Sequence, residues 1–432
     1  MSREGGTTEG LFTHTHERGL VRVEVSSGAW LRAMLAAEVA LAGACADAGV
    51  LPAEAAAAIE SACSEPNRYD EAALGILAAR TGNPVMGLIE AIRAAVDDHV
   101  VAYVHYGATS QDIIDSAAML VAHRAIGALG IDLDACAEAA ALLTERHRDT
   151  PLVARTLLQQ AVPTTFGLKA GQWLHGIAAV SAHLKDVQGD LPAQLGGAAG
   201  TLEGYPDPGT ALHVATAYAA RLGLVAPSMP WHTLRYPIGA LAGALATTAG
   251  ILGKVALDLV LLSQNEIGEL TVPADGSGGS STMAHKRNPV AAVAARSAAK
   301  RAPGLAATLF ATMEQEHERA AGAWQAEWPT LSELLTCVGS AAAWLREALE
   351  SMDVDERRMA SNLAALDSAT SVGSTALLID RALADYRTST DTSTDGRIDS
   401  GTDSGTDSGT DSGTDSGTDP STLSTNGSEG IS

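Results

Sequence analysis

The chain contains several long stretches in which apolar residues recur at the spacing of an α-helix, and this feature constrains the fold most. The two longest cover 111–147 and 237–268. Both are apolar on most of their surface rather than along one stripe, so neighbouring helices must cover them. Val, Ile and Thr rarely alternate with polar residues. The sequence therefore predicts an all-α protein without a sheet.

Composition agrees with a helical bundle. Hydrophobic residues make up 46% of the 432 residues and aromatic residues only 4%, so the core must be aliphatic and rich in alanine, which favours helices that cross at short distances. Because the long helices cannot all be covered within one chain, we expect them to pack between subunits as well. The same periodicity predicts further helices over 28–49, 52–63, 69–80, 85–101, 163–187, 289–317, 328–351, 354–366 and 372–387.

Charge and cysteine content exclude several classes of protein. The formal net charge is -23, which argues against a nucleic-acid binder, because phosphate neutralisation needs a basic surface. The four cysteines form no CxxC pair, and no cluster typical of a metal site occurs. The most apolar stretch, 238–262, carries Lys254 and Asp258 and predicts a buried helix rather than a membrane span. With no apolar segment near the polar N-terminus, we expect a cytoplasmic protein.

The chain divides into four predicted regions. An N-terminal helical domain covers 1–104, a central long-helix bundle 105–351, and a short C-terminal helical domain 352–387. The last region, 388–432, repeats Ser-Gly-Thr-Asp without an apolar residue in the repeat. Such a segment cannot bury enough surface to offset its chain entropy, so we expect a disordered tail.

Three non-helical segments interrupt the helices, and loops on a rigid scaffold commonly carry function. They are HYGATSQD (105–112), RTLLQQAVPTTFG (155–167) and VPADGSGGSSTMAHKRNP (272–289). In the third, Asn288 suits a helix N-cap and Pro289 the first helical position. The cations beside that N-terminus would attract an anion. A solvated loop with an ordinary cap is an equal alternative.

The first two segments also allow a functional and a plain interpretation. Thr109 and Asp112 have the spacing of a capping box. A functional interpretation is that a substrate carboxylate binds the hydroxyls of Thr109 and Ser110, together with His105 and Gln111. In the second segment, Gln159 and Gln160 precede a predicted apolar helix, so a buried polar role competes with simple exposure.

Together the three segments resemble the aspartase/fumarase superfamily. Its signature, Gly-Ser-Ser-x-Met-Pro-x-Lys-x-Asn, fits residues 279–288 at every position except Ala284, where the family has Pro. The resemblance extends over about 20–387, with the segments in the family's order. It implies a homotetramer in which the long helices of four subunits merge and each active site is shared between subunits. It also implies that the third domain, 352–387, is rudimentary.

Within the superfamily, the strings HYGATSQDIIDSA and QEHERAAGAWQAEWPTL are similar to the 3-carboxy-cis,cis-muconate cycloisomerase family. This implies an enzyme without a cofactor that converts a small tricarboxylate from aromatic-ring degradation into a lactone. Adenylosuccinate lyase is the enzyme alternative. That family has a proton-donating His where this chain has Leu157, which cannot donate a proton to a leaving nitrogen. A non-catalytic protein on the same fold is the other alternative.

The resemblance also implies roles for individual residues. Ser280 would transfer the proton, while Lys286 would stabilise the serine oxyanion and hold a carboxylate. The remaining residues expected to bind the substrate are Thr109, Ser110, Gln159, Asn288, Arg319, His105 and Arg235.

Overall fold

The structure, a computed structural model, describes residues 10–271, 283, 286–365 and 371–395. Helices dominate this part of the chain, which confirms the predicted helical class. In chain order they are α1 (Thr13–His16), α2 (Val21–Glu24), α3 (Ser27–Asp47), α4 (Ala53–Cys63), α5 (Glu71–Thr81), α6 (Val85–Ala94), α7 (Ser110–Arg146), α8 (Phe166–Gly189), α9 (Pro208–Leu222), α10 (Tyr236–Leu262), α11 (Val290–Ala311), α12 (Ala323–Ser351), α13 (Glu356–Ala364) and α14 (Thr375–Asp395).

Side-chain caps explain where several helices begin. The Ser26 hydroxyl accepts the N–H of Ala29 and starts α3, and the Asp70 carboxylate starts α5 in the same way. Asp207 and Pro208 start α9, which then ends at Gly223 in the left-handed conformation. Such caps satisfy backbone groups that a helix end leaves unpaired. The sequence analysis did not predict α9, although Asp-Pro before and Gly after it are boundary signals.

The long helices pack side by side around an aliphatic core. α10 contacts α8, α11 and α12, while α7 contacts α8, α12 and α3. Close approaches show that α10 and α11 are antiparallel, because Gly239 lies against Met313 and Gly253 against Ala299. Each end of α10 is therefore near the opposite end of α11.

Two small antiparallel pairs correct the expectation that the chain has no sheet. β1 (Pro151–Thr156) pairs with β2 (Gln159–Thr165), and β3 (Leu270–Thr271) pairs with β4 (Asp353–Val354). The expected helix over 163–187 therefore starts only at Phe166, where the Thr165 hydroxyl accepts the N–H of Leu168 at 3.1 Å. These strands are too short, at two to seven residues, for their alternation to stand out beside long helices.

The C-terminal region differs from expectation at its boundary. α14 continues to Asp395, beyond the predicted start of the tail at 388. Residues 396–432 lie outside the described part of the chain. Contacts group the chain into one compact unit that ends at Arg387 and a second that starts at Thr388. The internal boundaries after 104 and 351 stay predictions.

Two helices are long and apolar enough to cross a membrane by length and composition alone, among the described residues. They are α3 and α10. Of the 18-residue apolar stretch in each helix, 67% is buried in α3 and 50% in α10. Core helices of soluble proteins pass the same test. About half of the residues of α10 are not fully buried by their own chain. They include the half-buried Ile251, Leu257 and Val260, so part of the apolar surface of the helix is available for another molecule to cover.

Candidate active site

Asp112 organises the first predicted segment. The carboxylate is fully buried and accepts the backbone N–H of Thr109 at 2.9 Å, which caps α7 as the sequence predicts. It also accepts the N–H groups of Gly196 and Gly197, each at 3.0 Å. The ring Nε2 of His232 lies 2.6 Å from Oδ1 of Asp112, the oxygen that also accepts the N–H of Gly196. One buried carboxylate thus fixes the start of α7 against a distant glycine turn.

The glycine turn has no space for larger residues. A Cβ on Gly196 would lie 2.7 Å from the His232 ring, closer than real side chains approach. Gly197 has φ +73, a backbone conformation that favours glycine. His232 could not be identified from the sequence, because its partner Asp112 is 120 residues away.

Arg319 is held beside this turn. Its Nη2 donates to the carbonyls of Gly197 at 2.6 Å and Ala198 at 2.8 Å. The side chain is half-buried, and burial lowers the pKa of Arg319, although Asp112 and other carboxylates oppose the shift. No carboxylate in the described part of the chain forms an ion pair with it. A half-buried guanidinium without an acidic partner is suited to an anionic ligand.

Arg235 requires a correction. It is 1% exposed and lies between Asp115, which it contacts at 2.8 and 3.0 Å, and Glu327, at 2.5 and 3.0 Å. Its guanidinium also stacks over the Trp231 ring at 4.6 Å. These contacts occupy the guanidinium, so the predicted role in substrate binding is wrong. Arg235 instead ties α7 to α10 and α12 through a buried ion network.

His105 and Ser110 lie at the same end of the bundle. The Nδ1 of His105 is 2.7 Å from Oε1 of Glu38, a buried carboxylate on α3. Ser110 is the first residue of α7 and is half-buried. We call this set, with Thr109 and Arg319, the Thr109 end.

The second predicted segment forms a hairpin whose tip is exposed. Leu157 and Leu158 make the two-residue turn between β1 and β2, with φ of 51 and 66. Their exposed fractions are 96% and 76%. Gln159 and Gln160 lie on β2 rather than at a helix start, and both are exposed in the single chain.

The base of this hairpin is anchored by Arg155. Its guanidinium contacts both oxygens of the fully buried Glu269, at 2.7 and 2.9 Å. Asn362 of α13 donates to the same carboxylate at 2.8 Å. Glu269 immediately precedes β3, so this contact places the hairpin beside the start of the third segment.

The third segment is described only in part. Ser280 lies outside the described residues, as does Ala284. Lys286 is exposed and Asn288 is half-buried. Pro289 occupies the N-cap position and α11 starts at Val290, so the prediction that Asn288 is the N-cap is wrong by one residue. We call Gln159, Lys286 and Asn288 the hairpin end.

The two ends lie far apart in one chain. α7 has 37 residues, which at 1.5 Å per residue separates Thr109 from the hairpin by about 55 Å. Asn288 precedes α11 and Arg319 follows it, so the 22 residues of this helix also place the two side chains at opposite ends. A single chain therefore does not bring all predicted site residues together.

Sequence reasoning missed Glu38 as well as His232. A signal for Glu38 existed, because it is the one charged residue in the apolar stretch 33–46 of α3, and a carboxylate there is seldom buried without a partner. Its contact with His105 could not be read from the sequence, since the two residues are 67 positions apart.

Comparison with known proteins shows the family to which this chain belongs. A family model described as Lyase matches residues 5–304. The chain is 45% identical to a nitrosuccinate lyase of Streptomyces davaonensis over 82% of this chain and 77% of that protein. It is 48% identical to a 3-carboxy-cis,cis-muconate cycloisomerase of Bradyrhizobium diazoefficiens over 77% and 74%.

A solved structure agrees with both the fold and the resemblance. The crystal structure of 3-carboxy-cis,cis-muconate lactonizing enzyme from Pseudomonas putida superposes with a TM-score of 0.81 at 33% identity, covering 88% of this chain and 99% of that one. The predicted fold class and the family resemblance are thereby confirmed. The chain belongs to the lyase family, with the fold of the aspartase/fumarase superfamily that includes the carboxymuconate cycloisomerases.

Proposed function

We propose that this protein is a 3-carboxy-cis,cis-muconate cycloisomerase that interconverts its substrate with 4-carboxymuconolactone. Relatives and structural neighbours with this activity support the proposal. The observation that carries it is the hairpin tip. Leu157 and Leu158 offer no proton donor there, so a reaction that must protonate a leaving amine is disfavoured.

The cycloisomerisation needs only one proton transfer. A substrate carboxylate oxygen forms a bond to one carbon of the conjugated double bond, and the displaced electron pair moves toward a second carboxylate. The resulting enolate-like dianion takes one proton on the carbon beside that carboxylate, which leaves a lactone. The attacking oxygen is already anionic and needs no base. One acid/base group and several anion ligands therefore suffice.

The chain's residues provide these functions in the proposed mechanism. Ser280 transfers the proton, and Lys286 stabilises both its oxyanion and the dianion. Asn288 and Gln159 bind the substrate from the hairpin end. Thr109, Ser110, His105 and Arg319 bind its carboxylates from the other end.

The distance between the two ends supports a site that is shared between subunits. Because about 55 Å separates them in one chain, a complete site needs the Thr109 end of one subunit and the hairpin end of another. The half-buried apolar residues of α10 support an assembly through this helix. We propose a cytoplasmic homotetramer, as the resemblance implies.

A second candidate is elimination from nitrosuccinate, favoured by the 45% identity to a nitrosuccinate lyase. Nitrite leaves as a stable anion, so this elimination also needs no acid at Leu157. A tricarboxylate differs from nitrosuccinate mainly in the additional anion that the site must hold. The hairpin tip alone does not separate these two reactions.

The test compares initial rates on three substrates with the purified tetramer. Loss of carboxymuconate absorbance, with kcat/KM at least 10²-fold above that for nitrosuccinate and adenylosuccinate, is the expected result. Preference for nitrosuccinate would establish the second candidate. Preference for adenylosuccinate would support the alternative that the protein is an adenylosuccinate lyase. A folded protein without activity on any of them would favour a non-catalytic role.

A further inference from the structure

Glu38 is a carboxylate that the proposed mechanism leaves without a task. It lies in the middle of α3, is 1% exposed, and places Oε1 at 2.7 Å from Nδ1 of His105. Its other oxygen, Oε2, is buried and has no hydrogen-bond partner among the described residues. A buried carboxylate is expensive to keep charged unless a cation pairs with it. The short contact identifies His105 as that partner.

The backbone around His105 is held in an unusual conformation. His105 has φ +65, a left-handed value that costs energy for a residue with a side chain. Gly107 follows with φ +70, and a Cβ there would lie 2.6 Å from the Tyr205 ring. The turn is therefore fixed by packing. Strained residues of this kind concentrate at functional sites.

Charged groups on three helices act on the His105 ring. Glu38 on α3 and Asp112 on α7 are the negative groups, and Arg93 on α6 is the positive one. Burial alone lowers the pKa of His105, but the two carboxylates outweigh it and raise the pKa above its ordinary value. Within the described residues, Nε2 of His105 has no hydrogen-bond partner. This N–H remains for a ligand.

We propose that Glu38 is a positioning residue that holds His105 as an imidazolium whose Nε2–H donates to a substrate carboxylate. The inference rests on the proposed function, because it needs an anionic polycarboxylate as the substrate. At the Thr109 end, which also contains Arg319, it adds a second cation, and the charge of this cation depends on pH. Substrate affinity then falls as the pH rises and the imidazolium loses its proton.

The first experiment measures the protonation of His105 directly. Histidine labelled with ¹³C at Cε1 is titrated by NMR in the wild-type tetramer and in Glu38→Gln, with His105→Gln to assign the signal. The wild-type ring should titrate above pH 6.5. In Glu38→Gln we expect a decrease of about 1–3 pH units, because the nearest opposite charge is removed. An unchanged titration would overturn the positioning role.

The second experiment measures binding of propane-1,2,3-tricarboxylate, an unreactive probe, from pH 5.5 to 9 by calorimetry. Wild-type affinity should decrease as the pH passes the titration of His105, and in Glu38→Gln this decrease should begin at lower pH. Between the two midpoints, we expect about 10- to 100-fold weaker binding in the variant. His105→Gln should remove the pH dependence in this range.

Controls separate this inference from its alternatives. Glu54→Gln makes the same chemical change at an exposed position of α4 and should leave both measurements unchanged. Circular dichroism checks folding, and His105→Gln provides the test if Glu38→Gln does not fold. A shifted titration with unchanged probe binding would overturn the contact with the substrate. If the titration and the probe binding behave as expected but the protein does not convert carboxymuconate, the proposed function would be overturned and the Glu38–His105 pair would not.

Discussion

At the residue scale, Arg319 shows how a side chain can be held without being neutralised. Two carbonyls of the glycine turn bind one nitrogen of its guanidinium, while the charge has no acidic partner in the described part of the chain. Carbonyls orient the group but leave its charge for a ligand, whereas a carboxylate partner would have cancelled it. Arg235 is the contrasting case, because the carboxylates of Asp115 and Glu327 both pair with its guanidinium and leave no free charge for a ligand.

This contrast predicts the effect of removing the Arg319 charge. Arg319→Met should raise KM for the tricarboxylate about 10- to 100-fold, because it removes a charge-assisted contact. Arg319→Lys should be intermediate, since a single ammonium cannot bind both carbonyls and the substrate in the same geometry. The exposed Arg301→Met is the matched control, and steady-state kinetics with melting curves provide the measurement. Equal KM values in all three variants would exclude Arg319 from the site.

The proton transfer makes a second prediction at this scale. Ser280→Ala should abolish most turnover, and Lys286→Met should reduce it by about 10²-fold or more. The two losses should not add, because Lys286 acts partly through Ser280. A double-mutant cycle on kcat, with circular dichroism as the folding check, measures the coupling. Additive losses would mean that Lys286 only binds substrate and that another group activates the serine.

At the element scale, the β1–β2 hairpin combines two unfavourable local features. Its turn places Leu157 and Leu158 at positive φ, where Asn-Gly is the preferred pair. Both leucines are also exposed in the single chain. Neither feature stabilises the hairpin itself, so we expect their function in contact with another subunit.

Replacement of the turn tests this expectation. The double variant Leu157→Asn, Leu158→Gly relieves the backbone strain but removes two apolar contacts. We expect weaker assembly by sedimentation velocity and lower kcat/KM. Ile76→Asn, which changes a residue 72% exposed on α5, should affect neither. If the double variant has a higher melting temperature, assembles normally and retains full activity, the two leucines do not contact another subunit.

The elements also show what the sequence could and could not predict. α7 was expected at 111–147 and runs from Ser110 to Arg146, because helical periodicity over such a length is hard to misread. The hairpin was missed, because Val153 and Val162 are too few to mark alternation. Asp112 could be identified as a cap from local spacing. Its bonds to Gly196 and His232 depend on tertiary contacts that no local pattern encodes.

At the scale of the whole molecule, the proposed site takes its two halves from different chains. Coexpression of Arg319→Met and Lys286→Met subunits tests this arrangement. If sites assemble at random from two chains, about a quarter of them receive two intact halves, and activity should recover to that level. Each variant alone should remain impaired. Mixed tetramers no more active than either variant would contradict shared sites.

The rod-like α7 has a consequence for how the enzyme responds to dilution. A helix about 55 Å long is a spacer that no local motion can shorten. In the proposed shared site, an isolated chain would therefore carry two half-sites and no complete catalytic centre. Specific activity then becomes a function of protein concentration, falling steeply once the subunits are dilute enough to separate. In a cell that makes little of this protein, the turnover per copy would therefore be lower than in a cell that makes much of it.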